Sequence, residues 1–276
     1  MKSVAYQGEP GAFSEQAARS FFGSRHRLVP RPTFREVFSA VARGAVHAGI
    51  IPIENTLFGS VHQNYDLLLK NRLYIVGEIN LRIRIHLMAL PGVRRRDLRF
   101  VYSHPQALGQ CEKFLHSLRG VTAVATEDTA GSARLIRDGG RRDAAALASR
   151  AAAQTYGLRI LRRSVESDAK NFTRFLVLSR SKGKAGRRPK TSLVFAVRDV
   201  PGALFTAIGA LALRDINLLK LESRPIVGRP WEYSFYVDVR GLESDQTMDQ
   251  ALNHLKELTT FVRVLGSYSS GKTVTG

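Results

Sequence analysis

The chain has 276 residues, of which 44% are hydrophobic and 24% charged, a composition typical of globular proteins with room for two domains. Its 42 Lys and Arg outnumber 23 Asp and Glu and give a formal net charge of +19. Such a charge attracts anions of any size without selecting among them. The basic residues are scattered and no nucleic-acid-binding motif is visible, so we expect a solvated basic surface rather than a nucleic-acid site.

Three further features narrow the class of protein. No stretch approaches the roughly 18 uninterrupted apolar residues of a membrane span, because the best candidate, 79–90, is interrupted by an amide, two arginines and a histidine. Residues 1–8 are typical of a strand and a turn rather than of a signal peptide. The single cysteine, Cys111, excludes an intramolecular disulfide and a multi-cysteine metal site. We therefore predict a cytoplasmic protein that uses no metal and no other cofactor.

Short apolar runs alternate with helical segments through the first 170 residues, the pattern of an α/β protein. Capping-box pairs open two of the predicted helices, Thr33 with Glu36 and Ser60 with Gln63. In chain order the predicted elements are strand 4–6, helix 12–22, helix 33–43, strand 48–53, helix 61–70, strand 73–76, a long strand within 77–90, strand 100–102, helix 105–118, strand 121–126, helix 127–137, strand 144–148, helix 150–156 and strand 160–165. The long strand is predicted to lead into a second lobe, and the last strand to lead back from it.

The run 171–178 combines a buried strand with two polar groups. Phe172, Phe175 and the aliphatic residues after them are typical of a core strand, whereas Thr173 and Arg174 place a hydroxyl and a guanidinium at its start. A buried guanidinium needs an anionic partner, which is either a ligand in a cleft or a structural Asp or Glu.

The segment 181–190 is basic and has no apolar residue larger than alanine or proline, so we predict that it is a linker. After it the predicted order is strand 193–197, helix 201–213, strand 217–221, strand 233–239, helix 247–258 and strand 261–265. This βαββαβ order is that of a ferredoxin-like domain.

Polar residues gather at the predicted strand ends and helix starts, where open α/β sheets bind their ligands. They include no nucleophile–base pair, metal cluster or phosphate-binding glycine loop, so they predict a site that positions an anion. The candidates are Glu54, Asn55, Ser103, Gln110, Glu127, Thr129, Thr173 and Arg174. Gln110 lies seven residues after Ser103 on one face of a predicted helix, so both are expected to point to one cleft. Ser103 is also compatible with a plain helix-start role, Glu54 with a surface acid and Glu127 with a partner of the helix dipole.

Several short stretches carry a family resemblance. They are YQGEPGAFS (6–14), PIEN (52–55), YDLL (65–68), YSHPQ (102–106), DTAG (128–131) and NFTRF (171–175), followed in the last domain by GALF (202–205) and ESRP (222–225). Each is weak alone, but together and in this order they resemble the prephenate dehydratase family, including its close relatives the arogenate dehydratases. The last two resemble the effector motifs of that family's ACT domain.

The resemblance implies an α/β fold in which a bilobal catalytic domain like type II periplasmic binding proteins is followed by a ferredoxin-like ACT domain. It implies a catalytic domain at 1–180, with lobe 1 at about 1–77 plus 171–180 and lobe 2 at about 78–170, then a linker at 181–190 and the ACT domain at 191–270. Carried over by motif position, the site residues are Thr173, Asn55, Ser103, Gln110, Glu54 and Glu127 for catalysis, Arg174, Phe175, Thr129, Ala130 and Gly131 for substrate binding, and Gly202, Ala203, Leu204, Phe205, Glu222, Ser223, Arg224 and Pro225 for effector binding.

The implied reaction is the loss of carbon dioxide and the ring hydroxyl from prephenate, giving phenylpyruvate for L-phenylalanine biosynthesis. Threonine is too weak an acid to act as a free proton donor, so we expect Thr173 to hydrogen-bond the departing hydroxyl. An ion pair to the leaving carboxylate would slow its loss. We therefore expect Arg174 to hold the pyruvyl carboxylate or to brace the site, with neutral side chains near the ring carboxylate. Those neutral side chains are Asn55, Ser103 and Gln110.

L-Phenylalanine is the implied effector, bound between ACT domains of a homodimer or homotetramer. Two alternative functions stay open. An arogenate dehydratase would act on a substrate with an amino group in place of the keto oxygen. A catalytically silent amino-acid sensor would keep the motifs at Gly202 and Glu222 but would be free to lose Thr173, so the presence of Thr173, Arg174 and Asn55 argues against it.

Overall fold

The computed structural model describes residues 2–226, 228–229 and 231–275. In chain order the strands are β1 (Ser3–Gln7), β2 (Arg27–Arg31), β3 (Ala48–Asn55), β4 (Gly59–Ser60), β5 (Tyr74–Arg82), β6 (His86–Ala89), β7 (Phe100–Ser103), β8 (Thr122–Ala125), β9 (Ala144–Ala148), β10 (Arg159–Arg162), β11 (Phe172–Ser179), β12 (Pro189–Ala196), β13 (Leu218–Pro225), β14 (Tyr233–Arg240), β15 (Phe261–Ser269) and β16 (Lys272–Thr275). The helices are α1 (Phe13–Phe22), α2 (Phe34–Ala42), α3 (His62–Lys70), α4 (Pro105–Gln110), α5 (Glu112–His116), α6 (Thr129–Asp138), α7 (Arg150–Thr155), α8 (Ala203–Ala212) and α9 (Gln246–Leu258), with a 3₁₀ turn at Arg95–Asp97. None of the described helices is long and apolar enough to cross a bilayer.

Two sheets form two lobes. The first has the strand order β16-β5-β11-β3-β1-β2, with β4 paired to β3, and the second has the order β10-β6-β9-β7-β8. The chain passes from the first lobe to the second between β5 and β6, and returns between β10 and β11. The predicted α/β, bilobal architecture is therefore confirmed, and β11 lies in the middle of the first sheet beside β3.

Strands β12 to β15 form a separate antiparallel sheet in the order β13-β14-β12-β15. Helices α8 and α9 pack on one face of it, around residues such as Leu193 and Leu211. The opposite face packs on the first lobe, where Tyr236 and Tyr268 share a core cluster with Phe38 and Tyr65. The ferredoxin-like prediction is confirmed, and the face of this sheet that carries no helix is buried against the first lobe.

Some local predictions were confirmed and others were wrong. Thr33 accepts a hydrogen bond from the Glu36 backbone N–H at 3.2 Å, as the capping box predicts. Ser60 instead belongs to β4, and α3 begins after Val61 without a side-chain cap. The predicted helix 105–118 is interrupted at Cys111, which separates α4 from α5. The predicted long strand is interrupted where the chain leaves the first lobe, between β5 and β6.

Three strands were missed altogether, namely the two-residue β4 and the longer β2 and β16. Strand β2 has the sequence RLVPR. It lies at a sheet edge, where a strand tolerates proline and charged residues. These residues hide the apolar pattern of a strand. Strand β16 follows the ferredoxin-like sheet in sequence, yet it pairs in parallel with β5 of the first lobe. A contact between segments so far apart in the chain leaves no local signal.

Strand β15 approaches the first lobe through a glycine. A Cβ atom at Gly266, where φ is +150°, would lie 2.2 Å from the carbonyl oxygen of Ile75 in β5. Side chains at this φ are strained, and backbone atoms cannot move aside as a flexible side chain can. The glycine is therefore required for the two sheets to pack this closely.

We predict that Gly266→Ala destabilises the chain by at least about 2 kcal/mol, because the clash adds to the backbone strain. Gly120→Ala is the matched control, since Gly120 has a φ of +70° but no atom within 4 Å of the added Cβ. Chemical unfolding followed by circular dichroism measures both variants. Equal losses of stability would show that the close approach at Gly266 contributes nothing.

Candidate active site

A cavity of about 520 Å³ lies between the two lobes. Strand β11 contributes Thr173 and Phe175, the second lobe contributes the start of α4 and the loop before α6, and the first lobe contributes the starts of three helices. Phe13, Phe34 and Ile83 add apolar wall. The cavity thus combines an apolar surface large enough for a ring with polar groups at its edges.

The charges around this cavity are unusual for an anion site. Among the described residues that line it, the only carboxylates are Glu127 and Asp128, and there is no lysine or arginine. Four helices of nine or ten residues, α1, α2, α3 and α6, begin at its wall. Helix N-termini carry partial positive charge and free N–H groups, and those of α1 and α3 have no side-chain cap. Backbone groups therefore supply the positive potential here.

The orientation of the Thr173 hydroxyl follows from its neighbour Asn55. Asn55 Oδ1 accepts the backbone N–H groups of Leu57 and Phe58, at 2.9 and 3.2 Å, which fixes the amide orientation. Its Nδ2 then donates to Thr173 Oγ1 at 2.9 Å and to Asn171 Oδ1 at 2.8 Å. Thr173 Oγ1 is the acceptor in this bond, so its own proton is left for a ligand in the cavity.

Asn171 joins the two lobes beside this pair. It is fully buried, and its Oδ1 accepts from Asn55 in the first lobe and, at 3.5 Å, from Gln110 Nε2 in the second. Its backbone carbonyl accepts from the Ile83 N–H where the chain crosses between the lobes. Asn171 was not among the predicted site residues, although it belongs to the quoted motif at 171–175. An amide preceding an apolar strand gives no sign of a partner 116 residues away.

His104 is a second residue that sequence reasoning missed. Its Nδ1 accepts the Gln106 backbone N–H at 3.2 Å, which caps α4, and the residue lines the cavity. Burial lowers the pKa of His104, although nearby Asp128 acts to raise it. The imidazole is thus a neutral Nε2–H donor at neutral pH. The motif at 102–106 contains His104, yet the site residue predicted from that motif is Ser103.

The remaining predicted residues of the second lobe divide into two groups. Glu127 and Thr129 line the cavity, as does Gln110. Ser103 lies outside the lining: it is fully buried and its hydroxyl donates to the Leu147 carbonyl at 2.7 Å, within the sheet. Ala130 and Gly131 lie in the first turn of α6 away from the cavity lining, where the Gly131 N–H donates to Asp128. Ser103, Ala130 and Gly131 are thus outside the described cavity lining.

Glu54 and Arg174 also lie outside the cavity lining, although motif position assigns Glu54 to catalysis and Arg174 to substrate binding. Arg174 Nε lies 2.7 Å from Glu78 Oε2, and its Nη2 lies 2.6 Å from Asp238 Oδ2 in β14. Glu54 contacts Lys220 in β13 and lies 3.8 Å from Arg174. Consecutive residues of a strand point to opposite faces, so Asn55 and Glu54, or Thr173 and Arg174, cannot share one site. The structural-acid alternative for Arg174 describes these contacts.

The buried ion pairs remain charged. Burial acts to raise the pKa of Asp238, yet the charges of Arg174 and Lys190 outweigh it and hold that pKa below its ordinary value. Burial acts to lower the pKa of Lys220, but the contact with Glu54 outweighs it and raises that pKa. Glu78 also contacts Lys190 Nζ, at 2.6 Å. Opposite charges thus alternate across the boundary between the first lobe and the last sheet.

The two predicted effector motifs are placed differently. Gly202, Ala203, Leu204 and Phe205 line a second cavity of about 370 Å³ together with Trp231 and Phe235. Gly202 has a φ of +79° and precedes α8 without a side-chain cap, so a side chain there would be strained. In the other motif Glu222 accepts from Ser60 at 2.7 Å and Arg224 lies 3.2 Å from Asp66. Ser223 and Pro225 are exposed on the other face of β13.

Comparison with known proteins agrees with this architecture of a ligand-binding cleft followed by a ferredoxin-like domain. The prephenate dehydratase family profile matches residues 4–183, and the ACT domain profile matches residues 191–257. Arogenate dehydratase/prephenate dehydratase 2, chloroplastic, from Arabidopsis thaliana is 47% identical over 276 residues, covering 96% of this chain and 72% of the relative. The chain therefore belongs to the prephenate dehydratase family and carries an ACT domain.

Two solved structures extend the comparison. Prephenate dehydratase from Arthrobacter aurescens in complex with L-Phe has a TM-score of 0.89 at 28% identity, covering 97% of this chain and 89% of that one. A protein described as GqqA, a novel type of quorum quenching acylase, has a TM-score of 0.87 at 34% identity, covering 98% of each chain. This chain is thus similar in fold both to a prephenate dehydratase and to a protein described as an acylase.

We predict that Ser103→Ala keeps turnover within about fivefold of the wild type but lowers stability by about 1 kcal/mol, because it removes one buried hydrogen bond outside the cavity lining. Steady-state kinetics and chemical unfolding measure the two effects. A loss of turnover of about a hundredfold with unchanged stability would return Ser103 to the catalytic residues.

Proposed function

We propose that the chain catalyses the decarboxylating dehydration of prephenate to phenylpyruvate, in L-phenylalanine biosynthesis. The observation that carries this proposal is the Thr173 hydroxyl, oriented by Asn55 so that its proton is available in a cavity without cationic side chains among its described residues. Such a hydroxyl suits a step that needs a hydrogen-bond donor where negative charge develops.

The chemistry needs no redox partner. The bond from the ring to its carboxylate breaks and carbon dioxide leaves, while its electron pair forms the last double bond of the aromatic ring. The carbon–oxygen bond on the opposite side of the ring breaks in the same process, and the hydroxide takes up one proton to leave as water. Thr173 stabilises the departing oxygen by donating a hydrogen bond, and solvent supplies the proton in net terms.

The absence of a lysine or arginine from the described lining suits this reaction. A cation at the ring carboxylate would stabilise the ground state more than the transition state, in which that charge disperses. Helix N-termini provide weaker, distributed positive potential. We assign the two substrate carboxylates to the uncapped starts of α1 and α3, and the ring to the apolar wall at Phe175. Asn55, Gln110, Glu127, Thr129 and His104 then complete the site.

Arogenate is the second candidate substrate. The Arabidopsis relative is described as both an arogenate and a prephenate dehydratase. Glu127 lines the cavity and has no ion pair among the described residues, so its charge can accommodate an ammonium group. An acylase is not favoured, because no hydrogen bond joins a hydroxyl to an imidazole among the described residues of the cavity.

We further propose that L-phenylalanine binds the cavity at Gly202–Phe205 and regulates turnover, as the L-Phe complex of the Arthrobacter relative suggests. The side chains of Phe205 and Trp231 beside it are 84% and 80% exposed. Exposed aromatic residues of this size mark an interaction surface. This supports a homodimer or homotetramer in which a second subunit covers the effector.

The cellular location and the domain limits are also proposals. We retain a cytoplasmic location, supported by a single cysteine that cannot form an internal disulfide and whose thiol is buried. Burial raises the pKa of Cys111 to about 12, which makes the thiol unreactive. We divide the chain between a catalytic domain at 1–180 and an ACT domain at 191–270, a division that the family matches at 4–183 and 191–257 support. The predicted linker at 181–190 ends two residues earlier in the structure, because β12 begins at Pro189.

We predict that Thr173→Ala and the isosteric Thr173→Val both lower kcat about 10²- to 10³-fold for prephenate and arogenate alike, because each removes the donor at the departing hydroxyl. Thr173→Ser is the matched control and keeps most of the activity, since it retains the hydroxyl. Turnover of both substrates is measured side by side. Full activity of the Val variant would remove this role from Thr173, and no turnover by the folded wild type would favour the silent sensor.

A further inference from the structure

Two pairs of residues, one in each sheet, face one another across the boundary between the catalytic and ACT domains. Glu54 and Arg174 lie opposite each other in the β3–β11 pair, one step from the pair Asn55 and Thr173. In the ACT sheet, Lys220 and Asp238 lie opposite each other in the β13–β14 pair.

The two pairs are joined by complementary charges. Glu54 contacts Lys220, and Arg174 Nη2 lies 2.6 Å from Asp238 Oδ2. The side chains of Arg174 and Asp238 are only 12% and 10% exposed. Because these charges are shielded from water, neither can change partner without a large loss of electrostatic stabilisation. These ion pairs therefore connect the two sheets directly, beside the contacts of Arg174 with Glu78 and of Asp238 with Lys190.

Each pair is also connected to a ligand site through its own strand. On the catalytic side the next residues along β3 and β11 are Asn55 and Thr173, whose hydrogen bond orients the reactive hydroxyl. On the ACT side, β14 carries Phe235, which lines the Gly202 cavity, three residues before Asp238. Strand β14 thus connects the Gly202 cavity to Asp238, the partner of Arg174.

We propose that Glu54 and Arg174 are positioning residues, through which Lys220 and Asp238 couple effector binding in the ACT domain to the Asn55–Thr173 hydrogen bond. This inference rests on the proposed function. The coupling requires that the two pairs have two arrangements in equilibrium and that the effector bind one of them more tightly. Only such a difference in affinity shifts the equilibrium between the arrangements. By reciprocity, substrate binding changes effector affinity by the same factor.

The test uses the full chain with Lys220→Met and Asp238→Asn, each of which breaks one charged contact between the pairs. Asp66→Asn is the matched control, because it breaks the Arg224–Asp66 ion pair at the same domain boundary and neither residue lies in β3 or β11. Phenylalanine binding is measured by calorimetry, kcat and KM with and without phenylalanine by steady-state kinetics, and folding by circular dichroism. Lys220 is less deeply buried than Asp238, with 19% of its side chain exposed, so Lys220→Met keeps the test available if Asp238→Asn fails to fold.

We expect both variants to bind phenylalanine within threefold of the wild type and to keep KM within twofold. The change in kcat produced by saturating phenylalanine falls at least fivefold in both, whereas Asp66→Asn responds as the wild type does. Wild-type responses in the Lys220 and Asp238 variants overturn the proposal, as does an equal loss in the control. Failure of the wild type to bind phenylalanine also overturns it.

A readout without turnover separates this inference from the proposed function. Hydrogen exchange at the amides of β3 and β11 is compared with and without phenylalanine. The wild type changes protection there and the Lys220→Met variant does not. If no substrate is turned over but this difference is seen, the proposed function fails while the coupling stands. If the wild type shows no change in β3 or β11, the coupling fails whatever the activity.

Discussion

The alternation of side chains along β3 and β11 is the constraint on which the rest of the structure depends. Asn55 and Thr173 face the cavity, so Glu54 and Arg174 must face the ACT domain. Removing one partner of a buried ion pair typically costs about 3–5 kcal/mol, so the contact between Arg174 and Asp238 fixes which face of β11 is turned to the cavity. The domain boundary and the reactive hydroxyl are thus determined by the same two strands.

The positive potential of the cavity comes from helix N-termini, because the described lining contains no lysine or arginine. The chain has a net charge of +19, yet the described lining contains no lysine or arginine, and helix N-termini lie at the cavity wall instead. The net charge raises encounter rates with an anionic substrate at long range. In the proposed function, these local groups hold the substrate carboxylates without a strong ion pair. A strong ion pair to the leaving carboxylate would slow decarboxylation. Attraction and catalysis are served by different parts of the molecule.

Much of this arrangement could be predicted from the sequence, and the limits have physical reasons. Apolar periodicity and helix starts indicated the bilobal α/β order and the βαββαβ order, because those signals are local. The same signals indicate that side chains alternate along a strand, but not which of the two faces is turned to the ligand. The predicted site residues therefore include Glu54 beside Asn55, and Ser103 in place of His104. Asn171 and Asp238 depend on partners more than 60 residues away in sequence. Strand β16 pairs with β5, and the whole ACT domain separates the two strands in sequence. No local pattern reveals such a pairing.

The central claim is that Thr173 meets the departing hydroxyl while Arg174 stays on the ACT side. A crystal structure of the chain with a non-reactive prephenate analogue tests it most directly. We predict that the ring hydroxyl of the analogue lies about 3 Å from Thr173 Oγ1, that its carboxylates lie at the starts of α1 and α3, and that Arg174 keeps its contacts with Glu78 and Asp238. An Arg174 that leaves Asp238 and pairs with a carboxylate of the analogue would contradict the account.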